Sequence, residues 1–241
     1  MLKGIGGFLE LELRSGVEYH QEAIRLNTGR NAFEYILKAR RFQKVYIPYY
    51  TCDVMLEPIL KLKIKYEFYS INNDFRPVFD FKNMEENAVF VFTNYFGLCD
   101  KIVEEVSMKC ENLIIDNAQA FYSMPVNGVD TFYSPRKFFG IPDGAYLYTK
   151  NLLYEQLPTD ISYERFEHLL GRIDVGAEEF YNIFRKNDED LSGQPIKTMS
   201  NLTQKLLESI DYLYIAEKRK QNFNYLNQAL KSINQLQLKL E

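Results

Sequence analysis

The chain has 241 residues, 46% of them hydrophobic, and a formal net charge of −4. That supplies apolar material for one large α/β domain with a real core and excludes the broad basic field that nucleic acid requires; no run has the length and apolarity of a signal peptide or a membrane span. Two histidines leave little for a zinc site or a histidine-based triad, and three scattered cysteines without CxxC spacing read as reduced thiols of a cytoplasmic protein.

In chain order, residues 5–13 alternate apolar and acidic side chains after a glycine pair, which predicts a strand or an extended arm. Residues 17–26 predict a short connecting strand. Asn27-Thr28-Gly29-Arg30-Asn31 then opens a helix, with Asn27 or Thr28 as its cap. A glycine at a helix N-terminus lets backbone amides approach an anion that the dipole favours, and Arg30 adds charge for a phosphate; an ordinary helix cap explains the same residues. Lys44 to Pro48 reads as a central strand. Tyr49-Tyr50-Thr51-Cys52 begins a helix expected to bend at Pro58. Tyr66 to Ile71 is a strand before the turn Asn72-Asn73-Asp74. Ala88 to Phe92 is a buried strand ending at Thr93-Asn94-Tyr95-Phe96-Gly97. Residues 99–110 form a helix with Ile102, Val103 and Val106 on one face. The alternation predicts right-handed crossovers and a largely parallel sheet.

The centre of the sequence is residues 113–149. Leu113-Ile114-Ile115 is too short for a helix and reads as a buried strand closed by Asp116, with Gln119 three residues on. Asp130 to Tyr133 leads into Ser134-Pro135-Arg136-Lys137, and Asp143-Gly144 turns the chain into Ala145 to Thr149. Polar groups at such strand ends project into the crevice where open α/β sheets bind ligands. After Thr149 the pattern turns helical over residues 160–186 and roughly 198–235, across a polar link at 187–197. Leu202, Leu206, Ile210, Leu213 and Ile215 form one apolar stripe.

Two fragments, Asp116-Asn117-Ala118-Gln119-Ala120 and Pro135-Arg136-Lys137-Phe138-Phe139-Gly140 with Asp143-Gly144-Ala145, stand in the order and on the strands of a known pattern. Together they resemble the core of the DegT/StrS sugar-aminotransferase family, pyridoxal-phosphate enzymes of fold type I. The resemblance implies a three-layer αβα fold with a mostly parallel mixed sheet. It divides the chain into an arm at 1–26, a cofactor-binding large domain at 27–190, and a helical segment at 191–241. That segment would lead to a small C-terminal domain, absent or truncated here.

By the same resemblance, Lys137 is the Schiff-base lysine, Asp116 faces the pyridine nitrogen, and Gln119 lies against the ring's 3-oxygen. Gly29 and Arg30 would hold the phosphate. Ser134 would supply the hydroxyl, because Phe132 occupies the family's serine position. Arg136 would neutralise phosphate or lower the pKa of Lys137. Cys52 stands where the family has a ring-stacking aromatic, which leaves Tyr49 or Tyr50 as substitutes. Asn94 stands at a histidine position, and Met199-Ser200 is the plain remnant of a segment that reaches the neighbouring subunit. The implied activity is amino transfer from a donor such as glutamate or glutamine to a keto-sugar nucleotide or related carbonyl compound, in a cytoplasmic homodimer. The alternative is a degenerate, non-catalytic relative that binds a ligand or a partner chain. A nucleotide-binding protein without pyridoxal phosphate ranks last, because no G-x-G-x-x-G or P-loop lysine motif is present.

Overall fold

Short runs of β-branched and aromatic residues pair into one sheet of eight strands. The computed structural model describes residues 6–7 and 9–235. The strands are β1 (Ile24–Leu26), β2 (Lys44–Pro48), β3 (Lys65–Ile71), β4 (Pro77–Val78), β5 (Ala88–Thr93), β6 (Leu113–Asp116), β7 (Asp130–Tyr133) and β8 (Ala145–Tyr148). Their order is β1-β8-β7-β6-β5-β2-β3-β4. The interior pairs from β7 to β3 are parallel; β8 runs antiparallel between β7 and β1, and β4 antiparallel to β3.

Helices cover both faces, because the parallel strands bury both sides of their pleat. On one face α1 (Gly29–Arg40) sets Phe33, Ile36 and Leu37 against Val45, Ile47, Val91 and Ile114. On the other, α3 (Asp100–Ser107) sets Ile102, Val103 and Val106 against Phe90, Phe92 and Ile115. A third, aromatic cluster around Phe121, Tyr133, Tyr146 and Tyr212 packs α6 (Asn201–Glu208) and the start of α7 (Tyr212–Ala229) onto the β8 side. The sheet is mixed and mostly parallel within an αβα layering, as expected.

Several local expectations change. The arm from residue 9 to 18 adopts no regular element; positions 5 and 8 of the expected 5–13 strand lie outside the described residues. Pro58 does not bend a helix: residues 53–55 form a 3-10 turn, and α2 (Leu56–Lys61) then places Pro58 in its own first turn. No intrahelical N–H is needed there, so proline is tolerated. The stretch 160–186 is two helices, α4 (Glu167–Asp174) and α5 (Tyr181–Asp190), and the second takes in the first residues of the expected link. The C-terminal stripe breaks at Asp211, whose side chain accepts from Tyr214 N and caps α7, leaving Leu213 82% exposed.

Because β2, β3, β5, β6 and β7 run the same way, their carboxyl ends share one edge. β1 ends there too and delivers the N-terminus of α1, and antiparallel β8 begins there. Asp143-Gly144 enters β8 through a backbone that needs glycine: Gly144 has φ +100, and its N–H donates to Asn27 O at 2.6 Å.

Candidate functional site

Asp116 is the last residue of β6, in register with Thr93 of β5 and Phe132 of β7. Its side chain is buried; Oδ1 accepts from Ala118 N at 2.8 Å, and Oδ2 has no hydrogen-bond partner among the described residues. Burial raises its pKa, since the ionised form loses its water; the positive charge of Lys137 and the Ala118 N–H act against that rise. Lys137 therefore lies within electrostatic reach of Asp116, although 20 residues of chain and a whole strand intervene.

Lys137 closes a 3-10 turn, Pro135–Lys137, begun at Ser134 just past β7. Its amine is exposed and has no ion-pair or hydrogen-bond partner among the described residues. Arg136 does not serve it as expected. The guanidinium turns toward α5 and pairs with Asp188 at 2.6 Å, so its charge is already balanced.

Ser134 and Gly29 meet. A Cβ added at Gly29 would lie 3.6 Å from Ser134 Cβ, 3.8 Å from Ser134 Oγ and 4.0 Å from the Phe132 ring. The first turn of α1 thus rests on the end of β7, beside a buried serine hydroxyl with no partner among the described residues. Thr28 caps the helix: its Oγ1 accepts from Asn31 N at 3.1 Å. Arg30 is placed differently from the expectation. Its buried guanidinium pairs with Glu57 at 2.8 Å, and the same carboxylate accepts from Ser192 Oγ and Gly193 N. A buried cation without a partner is strongly disfavoured, and Glu57 fills that need here. That leaves, among the described residues, the first α1 amides and the Ser134 hydroxyl as the uncommitted polar groups at this end.

Gln119 sits half-buried in the turn after β6, its side chain without a hydrogen bond among the described residues. Asn94 anchors structure: Nδ2 donates to Asp100 at 2.7 Å and Oδ1 accepts from Cys99 N, fixing the start of α3. Cys52 is exposed. Of the two substitute tyrosines, Tyr50 stacks on Tyr95 (5.5 Å, 17°) at the end of β5, whereas Tyr49 turns edge-on to Phe68 (5.5 Å, 75°). Lys197, two residues before Met199-Ser200, pairs with Asp160 at 2.8 Å.

Sequence reading missed Thr93. Among the described residues its buried Oγ1 has no partner of good hydrogen-bond geometry, and it stands directly beside Asp116 in the sheet. The available signal was a polar residue closing the run Ala88 to Phe92, just as Asp116 closes Leu113 to Ile115.

This set fits pyridoxal phosphate. Asp116 Oδ2 is open to accept a pyridinium N–H, a helix N-terminus and a hydroxyl lie together where a phosphate would fit, and the charge of an unengaged amine acts on Asp116. No group of histidine, cysteine, aspartate and glutamate among the described residues is arranged to hold a metal ion, and no described helix is long and apolar enough to cross a membrane.

No protein-family model matches the chain, and no curated protein matches it. Solved structures do. DesV from S. venezuelae, in complex with a ketimine intermediate, is 15% identical with a TM-score of 0.55 over 88% of this chain and 58% of its own. The sugar aminotransferase CalS13 from Micromonospora echinospora is 10% identical (TM-score 0.57; 92% of this chain, 64% of its own). The PLP form of Spr1654 from Streptococcus pneumoniae is 14% identical (TM-score 0.58; 87% and 60%). At these identities the likeness establishes the fold alone, a mixed sheet between helical layers shared with these aminotransferase structures. The chain spans between 58% and 64% of the length of these structures.

Proposed function

We propose that this chain provides the cofactor-binding domain of a pyridoxal-phosphate aminotransferase that acts on a keto-sugar nucleotide or a related carbonyl compound. The observation that carries the reading is a juxtaposition at the carboxyl edge of the sheet: the unengaged amine of Lys137, whose charge acts on the buried carboxylate of Asp116 with its one open oxygen. When bound, the cofactor supplies an aldehyde for the amine and a ring that takes up electron density. Lys137 would supply the amine that holds the cofactor and the base that moves a proton at the substrate carbon. Asp116 would keep the ring nitrogen protonated, Gln119 would face the 3-oxygen, and Gly29 with Ser134 would hold the phosphate. An amino donor, a second copy of the chain and a cytoplasmic setting belong to the same proposal.

A second reading is cofactor or ligand binding without turnover. It is favoured by Arg30 held by Glu57, Asn94 committed to α3, and Phe132 where a phosphate hydroxyl is expected. Titration of the purified protein with pyridoxal phosphate separates the cases. The expected result is a new absorbance band at the violet edge of the visible, absent in Lys137→Ala. The same sample is then assayed with glutamate or glutamine and keto-sugar nucleotides. A lysine-dependent band without amino transfer selects the second reading. No band in the wild type removes both forms of the cofactor assignment.

A further inference from the structure

Beside the turn that carries Arg136, a cavity of about 440 Å³ opens between that turn and the α4–α5 hairpin. Phe180, Tyr181 and Phe184 wall one side; Arg136, His168 and Arg172 supply its cationic and polar groups. No acidic side chain lines it among the described residues.

Three observations give it the character of a site. The first is charge. Arg136 is balanced by Asp188, but Arg172 has neither an ion pair nor a hydrogen bond among the described residues. The second is an unmet polar group. His168 is 7% exposed, yet among the described residues its Nδ1 has no partner of good hydrogen-bond geometry. The third is apolar surface that the fold does not use. Tyr181 is 58% exposed and Phe184 42% exposed, tilted at 34° with centroids 6.3 Å apart. The wall is built into the backbone, because Gly171 lets the Phe180 ring lie directly on α4: a Cβ there would fall 2.1 Å from the ring. Small-ligand sites combine this size, these aromatic walls and a few convergent polar groups. A guanidinium pairs in bidentate fashion with phosphate or carboxylate, and aromatic faces take flat rings.

We propose that this cavity binds a small anion carried on a planar ring, an aryl or heteroaryl phosphate or carboxylate, with Arg172 pairing the anionic group and Tyr181 and Phe184 covering the ring. The site is separate from the cofactor assignment and shares with it only the turn holding Arg136 and Lys137.

Calorimetric titration of the full chain tests this with phenyl phosphate and benzoate as ring anions, and with inorganic phosphate and phenol as their fragments. The expected result is that one ring anion binds at least tenfold tighter than either of its fragments; the phosphate and carboxylate arms show which anion the site takes. Arg172→Ala lowers that affinity at least tenfold, Arg172→Lys falls between, and Phe184→Ala weakens it severalfold. Arg185→Ala, an exposed control on α5, leaves it unchanged. Arg172 is exposed, so its variants keep the wild-type circular dichroism. Lys137→Ala binds the ring anion as the wild type does, so the outcome is independent of the absorbance band. The inference is overturned if neither ring anion binds, if inorganic phosphate binds as tightly as phenyl phosphate, or if Arg172→Ala binds like wild type. It is equally overturned if Phe184→Ala turns a dimer into a monomer without touching ligand affinity, since the face is then a contact between copies.

Discussion

Asp116 is where stability and chemistry pull apart most clearly. Its burial raises its pKa, so the ionised carboxylate costs folding energy in the cofactor-free chain. The sign follows from linkage. A carboxylate with a folded pKa above its unfolded one destabilises fully above the folded pKa, and the cost vanishes below the unfolded value. Asp116→Asn can keep the bond from Ala118 N and removes the charge. The apo variant is expected to melt higher near neutral pH, by about 2–4 °C for each kcal/mol relieved in a chain this long. The gain shrinks as pH falls, while the affinity for pyridoxal phosphate drops. Melting curves across pH, with and without cofactor, check both halves; an apo variant less stable than wild type at neutral pH refutes the argument. The residue was legible because an aspartate closing a buried apolar run is conspicuous. Thr93 was not, because nothing in one strand reveals which residue of another strand will lie in register beside it.

At the scale of the element, α1 concentrates what local sequence can specify. Its cap, its glycine first turn and its apolar face were all readable, and Thr28 caps it as expected. Thr28→Ala removes the acceptor for Asn31 N and is expected to lower stability by about 1 kcal/mol. Because the same turn faces Ser134, the variant also weakens phosphate capture, whereas a cap with a purely structural role would leave cofactor affinity unchanged. Chemical denaturation and cofactor titration measure the two effects separately. Elsewhere periodicity misled. The C-terminal apolar stripe runs unbroken through a stretch expected to be helical, but Asp211 captures the Tyr214 N–H and starts a new helix within it. The capping hydrogen bond resets the helix phase: Ile210 and Ile215 still pack against the aromatic cluster, but Leu213 turns to solvent. Pro58 misled in the opposite direction, because its effect depends on which turn of the helix it occupies.

Across the whole molecule, ion pairs join segments that are distant in sequence around the shared sheet edge. Arg165 binds Asp143 and Asp160, Lys197 also binds Asp160 at 2.8 Å, and Thr203 Oγ1 donates to Asp143 at 2.6 Å. Asp143 and Asp160 are nearly fully buried. Arg165→Ala leaves both carboxylates short of positive charge, with an expected loss of about 3–5 kcal/mol, the range for breaking a buried pair. Urea denaturation of the variant reads it; a loss within about 1 kcal/mol would reduce the network to a surface ion pair. The sequence alone determined the strand–helix alternation, the parallel core and the two polar strand ends at Asp116 and Lys137, because periodicity, turns and caps are properties of neighbouring residues. Only the tertiary structure decided which charges remain available. It gave Arg30 to Glu57, Arg136 to Asp188 and Lys197 to Asp160, and among the described residues it left Lys137 and Arg172 without partners. Pairing between charges is a matter of distance in space, and burial decides which of them must be paired.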